Sequence, residues 1–206
     1  MNFLILLLSM MMPATIQQPA SNDGRPVILA FGDSLTAGYG VPPEAGYPAV
    51  LQHRLDALGY RYRVVGMGIS GDTTEGGLVR LKGALNEKPS IVILELGAND
   101  GLRGLPVAET KANLDEMTQA FRKQGATVVL AGMTLPRNYG QAYVSSFENV
   151  FKDLAAKYQL PLIPFFLEGV AGDPHLTLPD FLHPNAAGYK IVVDVVMKTL
   201  QPILKK

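Results

Sequence analysis

The sequence predicts a three-layer α/β/α sandwich built on a five-stranded parallel sheet. From Pro26 onward, short apolar runs alternate with segments of helical period, the pattern of a parallel sheet that carries helices on both faces. The runs are mostly apolar and rich in β-branched residues, as strands buried on both faces are. The predicted strands cover residues 27–31, 62–65, 91–96, 127–131 and 162–165.

Helices are predicted between these strands from apolar residues at helical spacing and from the residues that stop them. One ends at Gly59 and another before Gly125, since glycine accepts the left-handed conformation that closes a helix. A third ends before Pro161, which cannot continue a helix, and a last helix is predicted over residues 185–200.

Composition bounds the function. The chain has 18 Lys plus Arg against 18 Asp plus Glu, so nothing in its charge favours nucleic acid as a partner. It has no cysteine, which excludes a disulfide framework, a thiolate nucleophile and sulfur-ligated metal sites. A length of 206 residues suits one domain, and the oligomeric state is left open.

The N-terminal segment predicts export. Residues 3–12 form an apolar run of the length of a signal-peptide core, shorter than the ~20 residues that span a bilayer. We therefore expect residues 1–24 to be a signal peptide or leader with a linker, and residues 25–206 to be the folded domain. That domain would be periplasmic or secreted, without stable membrane insertion; an uncleaved anchor and a misassigned start codon are the alternatives.

Polar and glycine-rich residues follow three predicted strands, at positions 32–35, 68–72 and 97–100. The carboxyl ends of parallel strands meet at one edge of a sheet, where ligands bind in this class of fold. The irregular stretch 166–182 follows the fifth strand and brings Asp180 and His183 to the same edge.

This edge holds the parts of a serine nucleophile. A serine hydroxyl needs a base that takes its proton, and the base needs a third group that fixes its tautomer. His183 follows Asp180 by three residues, whereas His53 falls within a helix and His175 has no acid at a comparable spacing except Asp173, so both are expected to be structural or at the surface. Ser34, Asp180 and His183 are therefore the predicted catalytic residues.

Hydrolysis also needs donors for the oxygen that becomes an oxyanion. The candidates are the backbone amides of Ser34 and Gly71 and the side-chain amide of Asn99. No metal and no cofactor is needed for this chemistry.

Four segments together resemble the motif blocks of the GDSL esterases, also called SGNH hydrolases. They are Gly32-Asp33-Ser34-Leu35, Ser70-Gly71-Asp72, Gly97-Ala98-Asn99-Asp100 and Asp180-Phe181-Leu182-His183. The chain looks most similar to the bacterial thioesterase I, lysophospholipase L1 and arylesterase branch. The resemblance implies a flavodoxin-like sandwich and the catalytic and oxyanion roles given above. It also implies a small-molecule substrate, which is a short- to medium-chain acyl ester, an aryl ester, an acyl-thioester or a lysophospholipid.

Two loops, 101–106 and 133–143, are expected to wall the acyl pocket, with Leu102, Leu105, Leu135 and Tyr139 as its lining. A carbohydrate O-deacetylase that uses the same machinery is the alternative function.

Other classes are less favoured. Residues 66–71 read Gly-x-Gly-x-x-Gly, the fingerprint of a dinucleotide-binding oxidoreductase, but they follow the second strand and no acid ends the next one at the required position. A binding module without activity would not need the complete set of catalytic residues. The Gly-x-Ser-x-Gly elbow of α/β-hydrolases does not occur in the sequence.

Four acidic residues are left over. Asp33, Asp72 and Asp100 each follow a predicted strand and are expected to cap helices. Glu95 lies in an apolar strand and needs a buried partner, for which Arg80 and Arg103 are the candidates.

Overall fold

The computed structural model describes residues 23–206, which form one parallel five-stranded sheet with helices on both faces. The predicted leader lies outside the described residues, apart from its last two positions. The strands are β1 (Val27–Gly32), β2 (Arg63–Gly68), β3 (Ile91–Glu95), β4 (Thr127–Ala131) and β5 (Leu162–Ile163). Their order in the sheet is β2-β1-β3-β4-β5, which is the flavodoxin-like order.

Seven α-helices connect and follow the strands over the described residues. They are α1 (Ser34–Ala37), α2 (Tyr47–Ala57), α3 (Thr74–Asn86), α4 (Ala98–Leu102), α5 (Val107–Lys123), α6 (Gln141–Tyr158) and α7 (Ala186–Leu200). Short 3-10 turns occupy Pro43–Ala45, Arg137–Tyr139 and Gln201–Ile203. None of the described helices combines the length and the apolar character that crossing a bilayer requires.

The helices cover the sheet in two groups. Helices α3, α5 and α6 pack side by side, and α2 packs against α7. Right-handed crossovers between parallel strands place the two groups on opposite faces, which makes three layers. The central strands β1 and β3 are buried along their whole length, so their uninterrupted apolar sequences reflect contacts on both faces.

Most predicted boundaries agree with the structure. Gly59 and Gly125 adopt left-handed conformations (φ +76° and +87°) just beyond α2 and α5, which confirms their role as helix stops. The strand predicted over 162–165 is shorter, because Pro164 has no N–H to donate and β5 ends at Ile163.

The register of the sheet aligns the strand ends that carry the polar segments. Gly32 at the end of β1 pairs with Gly68 of β2 on one side and with Glu95 of β3 on the other. A side chain at Gly68 would overlap the backbone of Thr36 and Ala37 in α1. The small residues at these ends therefore let α1 sit close against the sheet edge.

Candidate active site

Ser34 is held at the end of the central strand by the first turn of α1. Asp33 is the N-cap of this helix, and its Oδ1 accepts a hydrogen bond of 3.0 Å from the amide of Leu35. Ser34 is the first helical residue, a position whose N–H has no partner inside the helix. The predicted capping role of Asp33 is confirmed.

His183 and Asp180 reach Ser34 from the loop before α7. His183 Nε2 lies 2.9 Å from Ser34 Oγ, and His183 Nδ1 lies 2.7 Å from Asp180 Oδ2. The amide of Leu178 donates a 2.8 Å bond to the carbonyl of His183 and ties the loop across its own base. The structure thus brings together the three predicted catalytic residues, which are up to 149 positions apart in the chain.

Asp180 also organises the backbone beside it. Its Oδ1 accepts hydrogen bonds from the amides of Leu182 (2.9 Å) and His183 (3.0 Å). Burial raises the pKa of this carboxyl, but these two bonds and the imidazole outweigh that effect, so the pKa of Asp180 is lowered from its ordinary value. Asp180 is therefore a carboxylate near neutral pH, and it accepts the proton on Nδ1, which leaves Nε2 as the acceptor for the serine hydroxyl.

The predicted oxyanion donors belong to Ser34, Gly71 and Asn99, which all line one cavity. Among the residues the structure describes, neither the Ser34 N–H nor the Gly71 N–H has a hydrogen-bond acceptor. Gly71 adopts φ +81° within a tight turn closed by a 3.1 Å bond from the Asp72 amide to the Ile69 carbonyl. The Asn99 Nδ2 group is already engaged twice, with Asp33 Oδ2 at 3.0 Å and with the Asp72 carbonyl at 2.9 Å.

Helix α4 fastens the segment that follows β2. The side chain of Arg103 donates to the Gly71 carbonyl at 2.7 Å, and the side chain of Asn99 donates to the carbonyl of the next residue, Asp72. Asp100 accepts the amide of Thr74 at 2.9 Å and so caps α3 from a neighbouring helix. This capping across helices differs from the expectation that Asp100 caps the helix that follows its own strand.

Asp72 is not a helix cap, contrary to expectation, because Thr73 caps α3 through its hydroxyl. Asp72 instead pairs with Arg80 over 2.6 Å. The same guanidinium donates to the carbonyls of Gly32 and Met67, each at 2.7 Å. Arg80 therefore links the carboxyl ends of β1 and β2 by hydrogen bonds, and it is not the partner of Glu95.

The partners of Glu95 come from the turn that carries Ser34 rather than from an arginine. Its Oε2 accepts the hydroxyl of Thr36 at 2.7 Å and the amide of Asp33 at 3.3 Å. Burial, followed by the nearby charge of Asp33, raises the pKa of Glu95 well above its ordinary value. Burial likewise raises the pKa of Asp33 to about 6. Arg103, the other predicted partner of Glu95, bonds the Gly71 carbonyl instead.

A cavity of about 580 Å³ opens beside Ser34 and His183. Leu102 and Leu135 line it, as predicted, whereas Leu105 and Tyr139 do not. The Tyr139 hydroxyl donates to the Leu102 carbonyl at 2.8 Å, so it supports the cavity wall from behind. Further apolar lining that the sequence did not identify comes from Leu35, Tyr39, Met133, Pro136, Phe165, Leu167, Phe181 and Leu182.

One aromatic ring packs beside the imidazole, and a second lines the same cavity. The Tyr39 ring lies 4.6 Å from the His183 ring, centroid to centroid, at an angle of 45°. Phe181, two residues before His183, is 57% exposed and holds a left-handed backbone (φ +57°). Neither position carries a sequence signal, because both depend on the conformations of irregular loops. The histidines set aside in the sequence, His53 and His175, are exposed.

Comparisons with known proteins agree with this geometry. The model of the GDSL-like Lipase/Acylhydrolase family matches residues 30–191. The chain is 46% identical over 178 residues to the Esterase TesA of Pseudomonas aeruginosa, covering 86% of this chain and 89% of that protein. It is 37% identical over 178 residues to the Thioesterase 1/protease 1/lysophospholipase L1 of Escherichia coli, covering 86% and 84%.

Solved structures show the same fold. The crystal structure of TesA superposes with a TM-score of 0.82 at 45% identity, covering 85% of this chain and 98% of that one. The family match extends from β1 to α7 and includes every segment that contributes to the cavity. The chain therefore belongs to the GDSL-like lipase/acylhydrolase family and is an acyl hydrolase.

Proposed function

We propose that this acyl hydrolase is a serine esterase that uses Ser34 as nucleophile, His183 as general base and Asp180 as the group that orients the base. One observation carries the proposal: hydrogen-bond distances of 2.9 Å and 2.7 Å link the serine hydroxyl to the imidazole and the imidazole to the carboxylate. This order of groups is the one that activates a serine at neutral pH.

The reaction has two halves. Ser34 Oγ attacks the acyl carbonyl carbon while its proton passes to His183 Nε2, and a tetrahedral oxyanion forms. The intermediate collapses, the bond to the leaving oxygen or sulfur breaks, and His183 returns the proton to that atom. A water molecule then attacks the acyl-enzyme with His183 again as base, and the carboxylic acid and free Ser34 are released.

The oxyanion is stabilised by donors that are fixed before the substrate arrives. We assign this role to the amides of Ser34 and Gly71 and to the side chain of Asn99. The two backbone amides have no competing acceptor among residues 23–206, which supports the assignment. Each such donor is worth on the order of 10²–10³ in rate.

The cavity supports an acyl ester as substrate. Its lining is mainly apolar. Over the described part of the chain, the lining contains one carboxyl group, that of Asp33, and one imidazole, that of His183. A volume of about 580 Å³ suits a short or medium acyl chain or an aryl ester. A carbohydrate deacetylase would need several polar side chains to hold a sugar, so the same lining favours the esterase. The relatives named for thioesters and lysophospholipids extend the proposal to those substrates.

The test compares two serines that line the same cavity. Ser34→Ala removes the proposed nucleophile, whereas Ser70→Ala removes a hydroxyl on the same cavity that makes no hydrogen bond to His183 in the described part of the chain. With p-nitrophenyl butyrate, we expect Ser34→Ala to lower kcat/KM by at least about 10³-fold and Ser70→Ala to retain it within a few-fold. A kcat/KM of Ser34→Ala within about 10-fold of the parent value would overturn the proposal.

We also infer that the chain is exported and that residues 1–24 hold a signal peptide or leader followed by a linker into the folded domain, because residues 3–12 form an apolar run. Expression from the native start in a Gram-negative host should give shortened protein in the periplasm or the medium. Full-length protein confined to the cytoplasm would contradict this inference.

A further inference from the structure

Arg103 lies beside the proposed oxyanion site but outside the cavity that adjoins it. It follows Asn99 by one helical turn, and its own amide bonds the Asn99 carbonyl at 3.1 Å. Its side chain crosses to the neighbouring loop, where the guanidinium Nη2 donates to the Gly71 carbonyl at 2.7 Å. The side chain is exposed and does not line the cavity.

The backbone beneath Arg103 is held from the opposite side. Tyr139 and Tyr143 do not line the cavity. The Tyr139 hydroxyl donates to the carbonyl of Leu102 (2.8 Å), and the Tyr143 hydroxyl donates to that of Leu105 (2.9 Å). These two carbonyls bracket Arg103 in the sequence. The backbone on both sides of Arg103 is therefore held in place, which limits the positions from which its guanidinium can bond the Gly71 carbonyl.

Gly71 needs such a restraint. Glycine has the largest backbone freedom of any residue, so the direction of its N–H is not fixed by its own conformational preferences. The peptide unit that follows Gly71 is held at both ends, because the Asp72 amide donates to the Ile69 carbonyl and the Gly71 carbonyl accepts from Arg103. Among the described residues, no other donor reaches the Gly71 carbonyl.

We propose that Arg103 is a positioning residue of this enzyme. By holding the Gly71–Asp72 peptide unit, it restricts the backbone rotation of Gly71 and so fixes the direction of the Gly71 N–H, which belongs to the preceding peptide unit and meets the oxyanion. Asn99, one turn before Arg103, helps to hold the two loops at this distance through its bond to the Asp72 carbonyl. The proposal rests on the oxyanion role assigned to Gly71 above. An oxyanion donor contributes only when it is aimed at the oxygen, so loosening it lowers kcat while the ground-state complex is little changed.

The test uses Arg103→Ala and Arg103→Lys, with Arg137→Ala as the matched control. Arg137 is also exposed and lies in the Arg137–Tyr139 turn, and its removal changes the net charge equally without touching Gly71. Five quantities are measured for each variant: kcat and KM for p-nitrophenyl butyrate, KM for an acyl-CoA, the rate constant for inactivation by a p-nitrophenyl alkylphosphonate, and Tm.

We expect Arg103→Ala to lower kcat and the inactivation rate constant by about 10-fold each, which is a part of the full value of one donor. KM and Tm should stay close to those of the parent, since the side chain is exposed and does not line the cavity. Arg103→Lys should recover part of the loss because it retains one donor, and Arg137→Ala should behave as the parent does.

Three outcomes would overturn the proposal. The first is an Arg103→Ala enzyme with the parent kcat. The second is a loss that follows a matching fall in Tm, which would make the residue structural. The third is a loss confined to KM for an anionic acyl-CoA, with the neutral ester unaffected, which would make Arg103 a contact for the leaving group. If Ser34→Ala kept its activity, the proposed function itself would fail; an inactive Ser34→Ala with a fully active Arg103→Ala would reject this inference alone.

Discussion

The hydroxyl of Thr36 donates to the buried carboxyl of Glu95 across 2.7 Å, and the two residues enclose the turn that carries Ser34. The same Oε2 accepts the amide of Asp33, so Glu95 contacts the chain on both sides of the nucleophile. The other oxygen, Oε1, is buried without a partner among the described residues. A neutral carboxyl fits this environment better than a charged one, which agrees with the raised pKa of Glu95.

Glu95→Gln should reduce the fall in the free energy of unfolding as pH rises from 5 to 8. The folded state keeps the Glu95 proton above the ordinary pKa of 4.5, whereas the unfolded chain releases it, so the stability of the parent falls as pH rises from that value. Glutamine resembles the protonated acid and removes this contribution. Urea unfolding between pH 5 and 8, with the exposed Glu116→Gln as control, measures the difference. Equal pH slopes in the parent and in Glu95→Gln would contradict a protonated Glu95.

Asp180→Asn should separate the two tasks of this carboxyl. The amide oxygen still accepts the backbone amides of Leu182 and His183, but the NH₂ group faces Nδ1 and favours the tautomer that cannot take the proton of Ser34. We expect kcat to fall by on the order of 10³–10⁴ with Tm nearly unchanged.

Asp180→Ala is the comparison for that variant, since it also removes the backbone acceptor and should lose about 1 kcal/mol of stability in addition. Esterase assays and thermal unfolding on both variants provide the measurements. An Asp180→Asn enzyme with nearly the parent kcat would show that the orientation of the imidazole does not depend on this contact.

Gly32→Ala should be strongly destabilising. An added Cβ would overlap the Thr36 hydroxyl and both the carboxyl and the backbone carbonyl of Glu95. We expect a loss of more than about 2 kcal/mol in the free energy of unfolding.

The matched variant is Gly83→Ala in α3, where an added Cβ meets no atom within 4 Å. It should gain about 0.5–1 kcal/mol, because alanine favours the helix and restricts the unfolded chain. Denaturant unfolding compares the two, and a Gly32→Ala protein as stable as the parent would refute the steric account of this position.

Phe181→Asn should exchange activity on longer esters for stability. Phenylalanine in a left-handed conformation is strained by about 1 kcal/mol, and asparagine tolerates that conformation. The exposed ring lines the cavity mouth, so its loss should raise KM for p-nitrophenyl octanoate and leave the acetate unchanged. Kinetics on both esters and urea unfolding test the two effects. A uniform loss on both esters would show that the ring supports His183 rather than the acyl chain.

Sequence reasoning could predict the sheet and the proposed catalytic residues for physical reasons. β1 and β3 are buried on both faces, so burial itself forces the unbroken apolar runs that identify them. Asp180 and His183 are close in sequence, and their spacing limits the choice of base. Ser34 follows because parallel strands bring their carboxyl ends to one edge.

The contacts that refine the site could not be predicted in the same way. Glu95 finds its partners on another strand end, and Arg103 reaches a loop 32 residues away, so neither contact produces a local sequence pattern. Tyr139 supports a carbonyl instead of lining the cavity, because the path of an irregular loop decides which way a ring faces. The glycine pattern at residues 66–71, whose place in the chain argues against a dinucleotide site, has a packing reason in the structure, since a side chain at Gly68 would overlap the backbone of helix α1.

The two hydrogen bonds that Asn99 already makes in the free enzyme favour a negatively charged oxygen over a neutral one as its new partner. Both protons of its amide already have acceptors, one of them the carboxyl of Asp33. If Asn99 serves the reaction as proposed, an uncharged ester oxygen offers this amide no better partner than the ones it holds, whereas an oxygen that gains negative charge competes with them. Binding energy from Asn99 would then appear only as the carbonyl carbon becomes tetrahedral, so intact esters and product acids would leave this side chain undisturbed.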